Sequence, residues 1–292
     1  MTPEPTHPYV ILDVFTDTPL QGNPLAVFTE GEQIPSRLMQ ATARELNLSE
    51  TVFLLPGDQE CEAHARIFTP TLELRFAGHP VLGAAFVVGA DTQRELIRIR
   101  TGSGVIPVRV RRDEDGQIVA GGMEQPIPTV APFAATEALL AALGVDAAAL
   151  PVEVYDNGTV HVMVMLDDLA EVSALKPDLG ALRALGECGF SCFALTGEGG
   201  GGEGEGVRTR MFGPGLGVDE DPATGSAAGP LAVHLVRHGR HSFSSNLEID
   251  QGVEMGRPSR LRARVEGRRE RIERVIVAGS AVVVARGHFR LQ

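Results

Sequence analysis

Asp221-Pro222-Ala223-Thr224-Gly225-Ser226-Ala227-Ala228 places a carboxylate, two hydroxyls and a glycine just ahead of an apolar helical run, Leu231 to Val236. The first turn of a helix leaves backbone N–H groups without intrahelical partners and carries positive partial charge, so it attracts anions. Thr224 or Ser226 is placed to cap that start, and Gly225 lets a ligand approach the backbone closely. Two readings stay open for this stretch alone: an anion cradle with an acid beside it, or an ordinary capped helix after a turn.

The same arrangement occurs half a chain length earlier. Gly78-His79-Pro80 precedes Val81-Leu82-Gly83-Ala84-Ala85-Phe86-Val87-Val88, with Pro80 at a first-turn position that needs no N–H. Two helices rich in small and apolar residues, each opened by glycine and a polar group, suggest an internal duplication. If the halves face each other, the two helix starts converge on a cleft suited to a small carboxylate.

The bulk composition narrows the classes. The 292 residues suffice for one large domain or two ordinary ones. A formal charge of −12 argues against a nucleic-acid partner, because phosphate needs a basic surface. The locally basic run Arg262 to Arg274 is interrupted by Glu266, Glu270 and Glu273 and reads as a solvated strand pair or turn. Cys61, Cys188 and Cys192 form no disulfide framework, which fits a reducing cytoplasm. Met1 to Pro8 lacks the features of a signal peptide, and no apolar run reaches membrane-spanning length. Lys176 is the only lysine and lies in a loop-like stretch, which sets Schiff-base and pyridoxal-phosphate chemistry aside.

Periodicity predicts strands at Tyr9–Phe15, Leu25–Phe28, Thr51–Leu55, Ala63–Phe68, Ile97–Ile99 and Val105–Val110. A helix is predicted over Ser36–Leu46 with Ser36 as its cap. Met123 to Pro132 carries three prolines and reads as the inter-domain connection. Beyond it come a helix from Ala135 to Leu143 stopped by Gly144, strands at Pro151–Tyr155, His161–Leu166, Cys192–Thr196 and Val207–Phe212, a helix near Ala181–Gly186, and closing strands at Val275–Val277 and Ala281–Ala285. The Gly/Glu tract Gly197 to Gly206 is followed by a strand and carries three glutamates, so it reads as a solvent loop rather than a phosphate loop. Gly213-Pro214-Gly215-Leu216-Gly217 lacks a dinucleotide-site context, so no nucleotide cofactor is expected.

Glu45 falls near the end of the first helix, where the dipole disfavours a carboxylate and tends to raise its pKa, as a general acid/base requires. It could equally be a surface glutamate paired with Arg44. His79 could donate to a substrate oxygen or cap its helix, and Asp221 could pair with His79 across the cleft or simply serve its turn. Glu45, His79, Asp221 and Ser226 together would make an acid/base set with donors for an enolate-like intermediate. His234, His238 and His241 invite a metal reading, but no carboxylate or cysteine accompanies them in a zinc pattern and they fall at a helix end, where histidine is favoured. No metal is expected.

Several segments, in order along most of the chain, carry a family resemblance: Asp13-Val14-Phe15 with Gly22-Asn23-Pro24, Leu48-Ser49-Glu50-Thr51, Arg66-Ile67-Phe68-Thr69-Pro70, Phe76-Ala77-Gly78-His79-Pro80 and Glu220-Asp221-Pro222-Ala223-Thr224-Gly225-Ser226-Ala227. The chain resembles the phenazine-biosynthesis isomerase (PhzF-like) family, related in fold to diaminopimelate epimerase. The resemblance implies an α+β fold of two pseudo-symmetric domains, each a β-barrel-like sheet wrapped around a central helix. They would cover residues 1–128, completed by a strand at about 280–292, and residues 129–279. It implies an acid/base role for Glu45, with His79, Asp221 and Ser226 positioning substrate and assisting proton transfer. Asn23, Gly78, Thr224 and Gly225 would bind substrate. It further implies catalysis without metal or organic cofactor, a homodimer, and an isomerisation like that of trans-2,3-dihydro-3-hydroxyanthranilate. Epimerase relatives use two cysteines, and the three here lie outside both motifs. Arg75 stands where the family more often has proline. An epimerase or racemase of the same fold, or a non-catalytic small-molecule binding protein, are the alternatives.

Overall fold

Gly78–Gly89 has no polar face beyond its first turn, so it is stable in water only if it is enclosed on every side. In the computed structural model, which describes residues 6–197 and 206–291, Val81, Leu82, Ala84 and Ala85 of this helix are fully buried. The chain falls into two compact units, the described residues up to Met123 together with those from Gly279, and the described residues of Glu124–Ala278.

The first unit runs β1 (Thr6–Val14), β2 (Asn23–Phe28), α1 (Ser36–Leu46), β3 (Glu50–Pro56), β4 (Ala63–Phe68), β5 (Glu73–Leu74), α2 (Gly78–Gly89), β6 (Leu96–Thr101), β7 (Gly104–Arg112) and β8 (Ile118–Gln125). The last strand of the chain, Ala281–Arg290, pairs antiparallel with β1. From there the ladder proceeds β1–β2 antiparallel, β2–β3 parallel, β3–β4 antiparallel, β4–β6 parallel, then β6–β7 and β7–β8 antiparallel. Strands β1, β2, β3, β4, β6 and β7 all pack on α2, so the sheet curls around it. Gly83 makes this approach possible, because a Cβ there would collide with Leu25 Cδ2.

The second unit repeats the connectivity. It comprises β9 (Thr129–Pro132), α3 (Thr136–Leu143), β10 (Glu153–Asp156), β11 (Val160–Met165), α4 (Leu169–Ala174), α5 (Leu179–Ala184), β12 (Gly189–Leu195), β13 (Gly206–Gly213), β14 (Val218–Asp221), α6 (Gly225–Arg237), β15 (Asn246–Gln251), β16 (Ser259–Arg268) and β17 (Arg271–Gly279); the chain ends with β18, the strand Ala281–Arg290. The pairings β9–β10–β11–β12–β13–β15–β16–β17 have the same succession of senses as in the first unit, with parallel pairs only at β11–β12 and β13–β15. Short β14 precedes α6 as short β5 precedes α2, and α6 packs on β11, β12 and β16. The fold is sheet-dominated α+β.

Local details differ from the sequence expectations. Ser36 does not cap α1; Pro35 takes that position and the Ser36 hydroxyl accepts from Arg66. Thr224 takes the N-cap position of α6, but neither its hydroxyl nor that of Ser226 makes a capping hydrogen bond, because both are engaged elsewhere. Helix α4 is additional to the expected elements, although Asp168 and Glu171 mark its start: the Asp168 carboxylate accepts from the Glu171 N–H. Met123 to Pro132 contributes to strands β8 and β9, and the division between the two units, Met123/Glu124, falls within it. The core of the Gly/Glu tract, residues 198–205, lies outside the described residues.

Gly229 tests the enclosure of α6. A Cβ at this position would collide with Gln125 Oε1 and stand 2.8 Å from Val275 Cγ1. Gly229→Ala is therefore expected to lower unfolding free energy by about 1–3 kcal/mol in urea melts, although alanine is the better helix former.

Candidate active site

His79 occupies the second position of α2 and is 2% exposed. Its Nδ1 faces the side-chain amide nitrogen of Asn23 at 3.3 Å, and its Nε2 lies 3.2 Å from Oε2 of Glu50, the first residue of β3. An amide NH2 can only donate, so Nδ1 is the acceptor and the ring proton resides on Nε2. Burial pushes the His79 pKa down to about 3, so the imidazole is neutral near pH 7. Nε2 makes no aligned hydrogen bond among the described residues. A buried N–H in that condition costs about 1–3 kcal/mol, a cost that a ligand oxygen would remove.

Glu50 reaches this position because α1 ends abruptly. Asn47 adopts a left-handed conformation with φ of 51°, its N–H bonds to Ala43 O, and the chain turns directly into β3. The inner face of α1 buries Met39, Thr42 and Ala43, and Met39 and Ala43 join a cluster with Phe28, Phe53 and Phe68. Glu45 lies off that stripe and is exposed. The carboxylate the structure brings to His79 is thus Glu50, not Glu45. Glu50 sits inside the Leu48-Ser49-Glu50-Thr51 motif and opens a strand whose next four residues are buried, which is the signal that could have distinguished it.

In the second unit, Asp221 ends β14 and Thr224 to Ser226 open α6. The Thr224 hydroxyl donates to Asp221 Oδ2 at 2.6 Å and accepts from Gln251 Nε2 at 2.9 Å. Gln251 Nε2 also donates to the Asp221 carbonyl and its Oε1 accepts from the Thr224 N–H. Gln125 and Asn157 donate to the carbonyls of Gly225 and Ser226, at 2.8 and 2.9 Å. Five side chains, those of Asp221, Thr224, Gln251, Gln125 and Asn157, therefore fix the path of the chain into α6. The Gly225 and Ser226 N–H groups donate no hydrogen bond among the described residues, and neither do those of Gly78 and His79. Both helix starts keep donors for an anion.

The Ser226 hydroxyl lies 3.0 Å from Nε2 of His161, which is 1% exposed on β11 and whose pKa burial pushes down to about 4. His161 Nδ1 has no partner among the described residues. Orphaned buried N–H groups are rarer than orphaned acceptors, so the proton belongs on Nε2, donated to Ser226. The serine proton is then available to a ligand. His161, Gln251, Asn157 and Gln125 are not among the residues that the sequence singles out; the one local signal is that His161 is the lone polar residue of Val160-His161-Val162-Met163-Val164-Met165.

The cysteines take no part in these groupings. Burial pushes Cys192 up to about 12 and Cys188 up to about 11, which keeps both as thiols. Arg75 lines a cavity of about 350 Å³ in the first unit with His64, Arg66, Glu73 and Arg100.

Comparison with known proteins places this geometry. The family described as phenazine biosynthesis-like protein matches residues 12–287. The chain is 48% identical, over 98% of its length and 100% of the relative's, to trans-2,3-dihydro-3-hydroxyanthranilate isomerase of Pseudomonas aeruginosa. The chain belongs to the phenazine biosynthesis-like family. Among solved structures, a PhzF-family protein of Bacillus anthracis superposes with a TM-score of 0.83 at 24% identity, covering 98% of this chain and 100% of that one. A hydroxyproline epimerase of Agrobacterium vitis shares the fold at a TM-score of 0.64 and 12% identity, covering 97% of this chain and 91% of that one. The α+β fold is thus that of the family and of distant epimerases.

The buried histidines give this family member an acid-side liability. His79 and His161 have folded-state values below the ordinary 6.5, so the unfolded chain binds more protons as pH falls through that value. Stability present above pH 6.5 is lost towards pH 4. Each histidine should remove about 2 kcal/mol of unfolding free energy between pH 7.5 and pH 5. Urea melts at the two pH values check this, and His161→Gln should shrink the difference by one such share.

Proposed function

We propose that this protein is a cofactor-independent isomerase that moves a proton on a small carboxylate substrate, with trans-2,3-dihydro-3-hydroxyanthranilate as that substrate. The observation that carries the reading is the largely buried pair of Glu50 and neutral His79, 3.2 Å apart at the mouth of a helix N-terminus. Glu50 takes a proton from one carbon of the conjugated system and returns it to another, so substrate and product differ only in the position of one hydrogen and the double bonds. His79 donates its Nε2–H to the oxygen that gains charge while the proton is held by Glu50. The N–H groups at the start of α2 bind the substrate carboxylate beside this pair; in the second unit the Ser226 hydroxyl and the α6 N–H groups offer an anion cradle of their own, whose entry Asp221, Thr224 and Gln251 hold in place. Asn23 fixes the tautomer of His79 instead of touching substrate.

Glu50 takes the role that the resemblance assigned to Glu45, because a proton carrier must reach the substrate from a site sheltered from water and Glu45 is exposed. The buried thiols at Cys188 and Cys192 do not favour a two-thiol epimerase. A cytoplasmic location fits three free cysteines. A homodimer is proposed through the exposed valines of β18, Val283 and Val284, to be checked by light scattering.

The test is turnover of trans-2,3-dihydro-3-hydroxyanthranilate in D2O followed by NMR. Wild type should isomerise it with deuterium uptake. Glu50→Gln should cut turnover by about 10²–10⁴-fold while leaving binding intact. Glu45→Gln should leave it unchanged. The assignment fails if Glu45→Gln is inactive and Glu50→Gln is not.

A further inference from the structure

We infer that Glu153, His234 and His238 form a structural site for a divalent transition metal of the zinc type, at the end of α6 remote from the candidate active site. His234 and His238 are four residues apart, so they stack on one face of the last helical turn, with His238 as the C-cap. No carboxylate adjoins them in sequence; it comes from β10. Glu153 Oε2 lies 3.3 Å from His234 Nδ1 and 2.9 Å from His238 Nε2. One ligand atom from each residue lies within 4.8 Å of the other two.

Those spacings are close to what coordination demands. Zinc binds imidazole nitrogen and carboxylate oxygen at about 2.0–2.2 Å in a tetrahedron, which puts neighbouring ligand atoms about 3.3 Å apart. Three donors at this separation need only small shifts to accept an ion. The donor set of two imidazoles and one carboxylate suits zinc and its neighbours and not magnesium or calcium, which require mostly oxygen.

The surroundings orient the ligands. Arg237 Nη2 approaches the other carboxylate oxygen, Oε1, at 3.4 Å, and the Tyr155 hydroxyl donates to Oε2 at 2.7 Å. That hydroxyl also lies 3.0 Å from His234 Nδ1, closing the remaining side. Outer contacts of this kind hold metal ligands in place. His234 is fully buried, while the partly exposed His238 leaves a path for an ion to enter. The helix end itself favours positive charge.

A second cluster, Asp58, Cys61 and His64, has ligand-like spacing too, but a cation already occupies it: Arg100 Nη2 lies 3.0 and 3.3 Å from the two Asp58 oxygens. The Glu153 site differs in that its guanidinium reaches only the outer oxygen. His234 follows Ser226 by eight helical residues, a rise of about 12 Å along α6, which separates the metal from Gly225 and Ser226. The ion would tie α6 to β10 and take no part in proton transfer.

The test is calorimetric titration of chelator-stripped protein with zinc chloride, with thermal unfolding and cobalt(II) absorption alongside. One zinc per chain should bind and raise the unfolding temperature, with isomerase turnover of the stripped protein retained. Glu153→Gln and His238→Gln should each abolish binding and the thermal shift, and circular dichroism without metal should show both variants folded. Cobalt should give visible d–d bands without sulfur-to-metal charge transfer. No saturable zinc binding by wild type would overturn the proposal. So would binding that survives both substitutions, or a cobalt spectrum with the sulfur band, which would move the ion to Cys61.

Discussion

A helix that is apolar on every face must be enclosed, yet its first-turn N–H groups still need partners. Much else in this protein follows from that conflict. Strands wrap α2 and α6 closely enough that Gly83 and Gly229 cannot carry a Cβ without collision. The wrapping buries the helix starts along with the helix bodies, so the polar residues there, His79, Thr224 and Ser226, are 6% exposed or less. Donors that a surface helix would give to water are held dry and left to be satisfied by a ligand of the kind proposed above.

The same burial sets the protonation state of the site. A histidine in water near neutral pH is a mixture of charged and neutral forms. Enclosed beside Asn23, His79 is neutral with its proton on Nε2, which lies 3.2 Å from Glu50 Oε2 without an aligned hydrogen bond. A neutral donor next to a carboxylate leaves the carboxylate as the base. An imidazolium in the same place would hold Glu50 in an ion pair and blunt its reactivity. The cost falls on stability at acid pH, where buried His79 and His161 favour the unfolded chain.

The helix starts at Gly78 and Gly225 were legible in sequence because glycine and polar residues ahead of an apolar run mark the point where a helix begins. The repeated ladder was legible only as a suspicion: the two units share a succession of strand pairings, and pairing between distant strands leaves little trace in local pattern. Glu45 and Glu50 mark the limit of that local pattern. Both flank the same turn, and helical spacing alone does not say which of them faces inward. The left-handed Asn47 decides between them by ending α1 and carrying Glu50 into a buried strand. His161, Gln251 and Glu153 were illegible for the related reason that their partners lie far away in the chain. The histidine pair His234 and His238 lacked a neighbouring carboxylate in sequence, and the fold supplies one from β10.

The neutral Nε2–H tautomer of His79 is the claim on which the chemistry rests. A long-range proton–nitrogen NMR correlation of the imidazole rings, with His79→Gln to assign the resonance, reads it directly at neutral pH. One protonated nitrogen at Nε2 and one bare nitrogen at Nδ1 is the predicted pattern, unchanged down to about pH 5. A doubly protonated ring near neutrality, or the proton on Nδ1, would contradict the account.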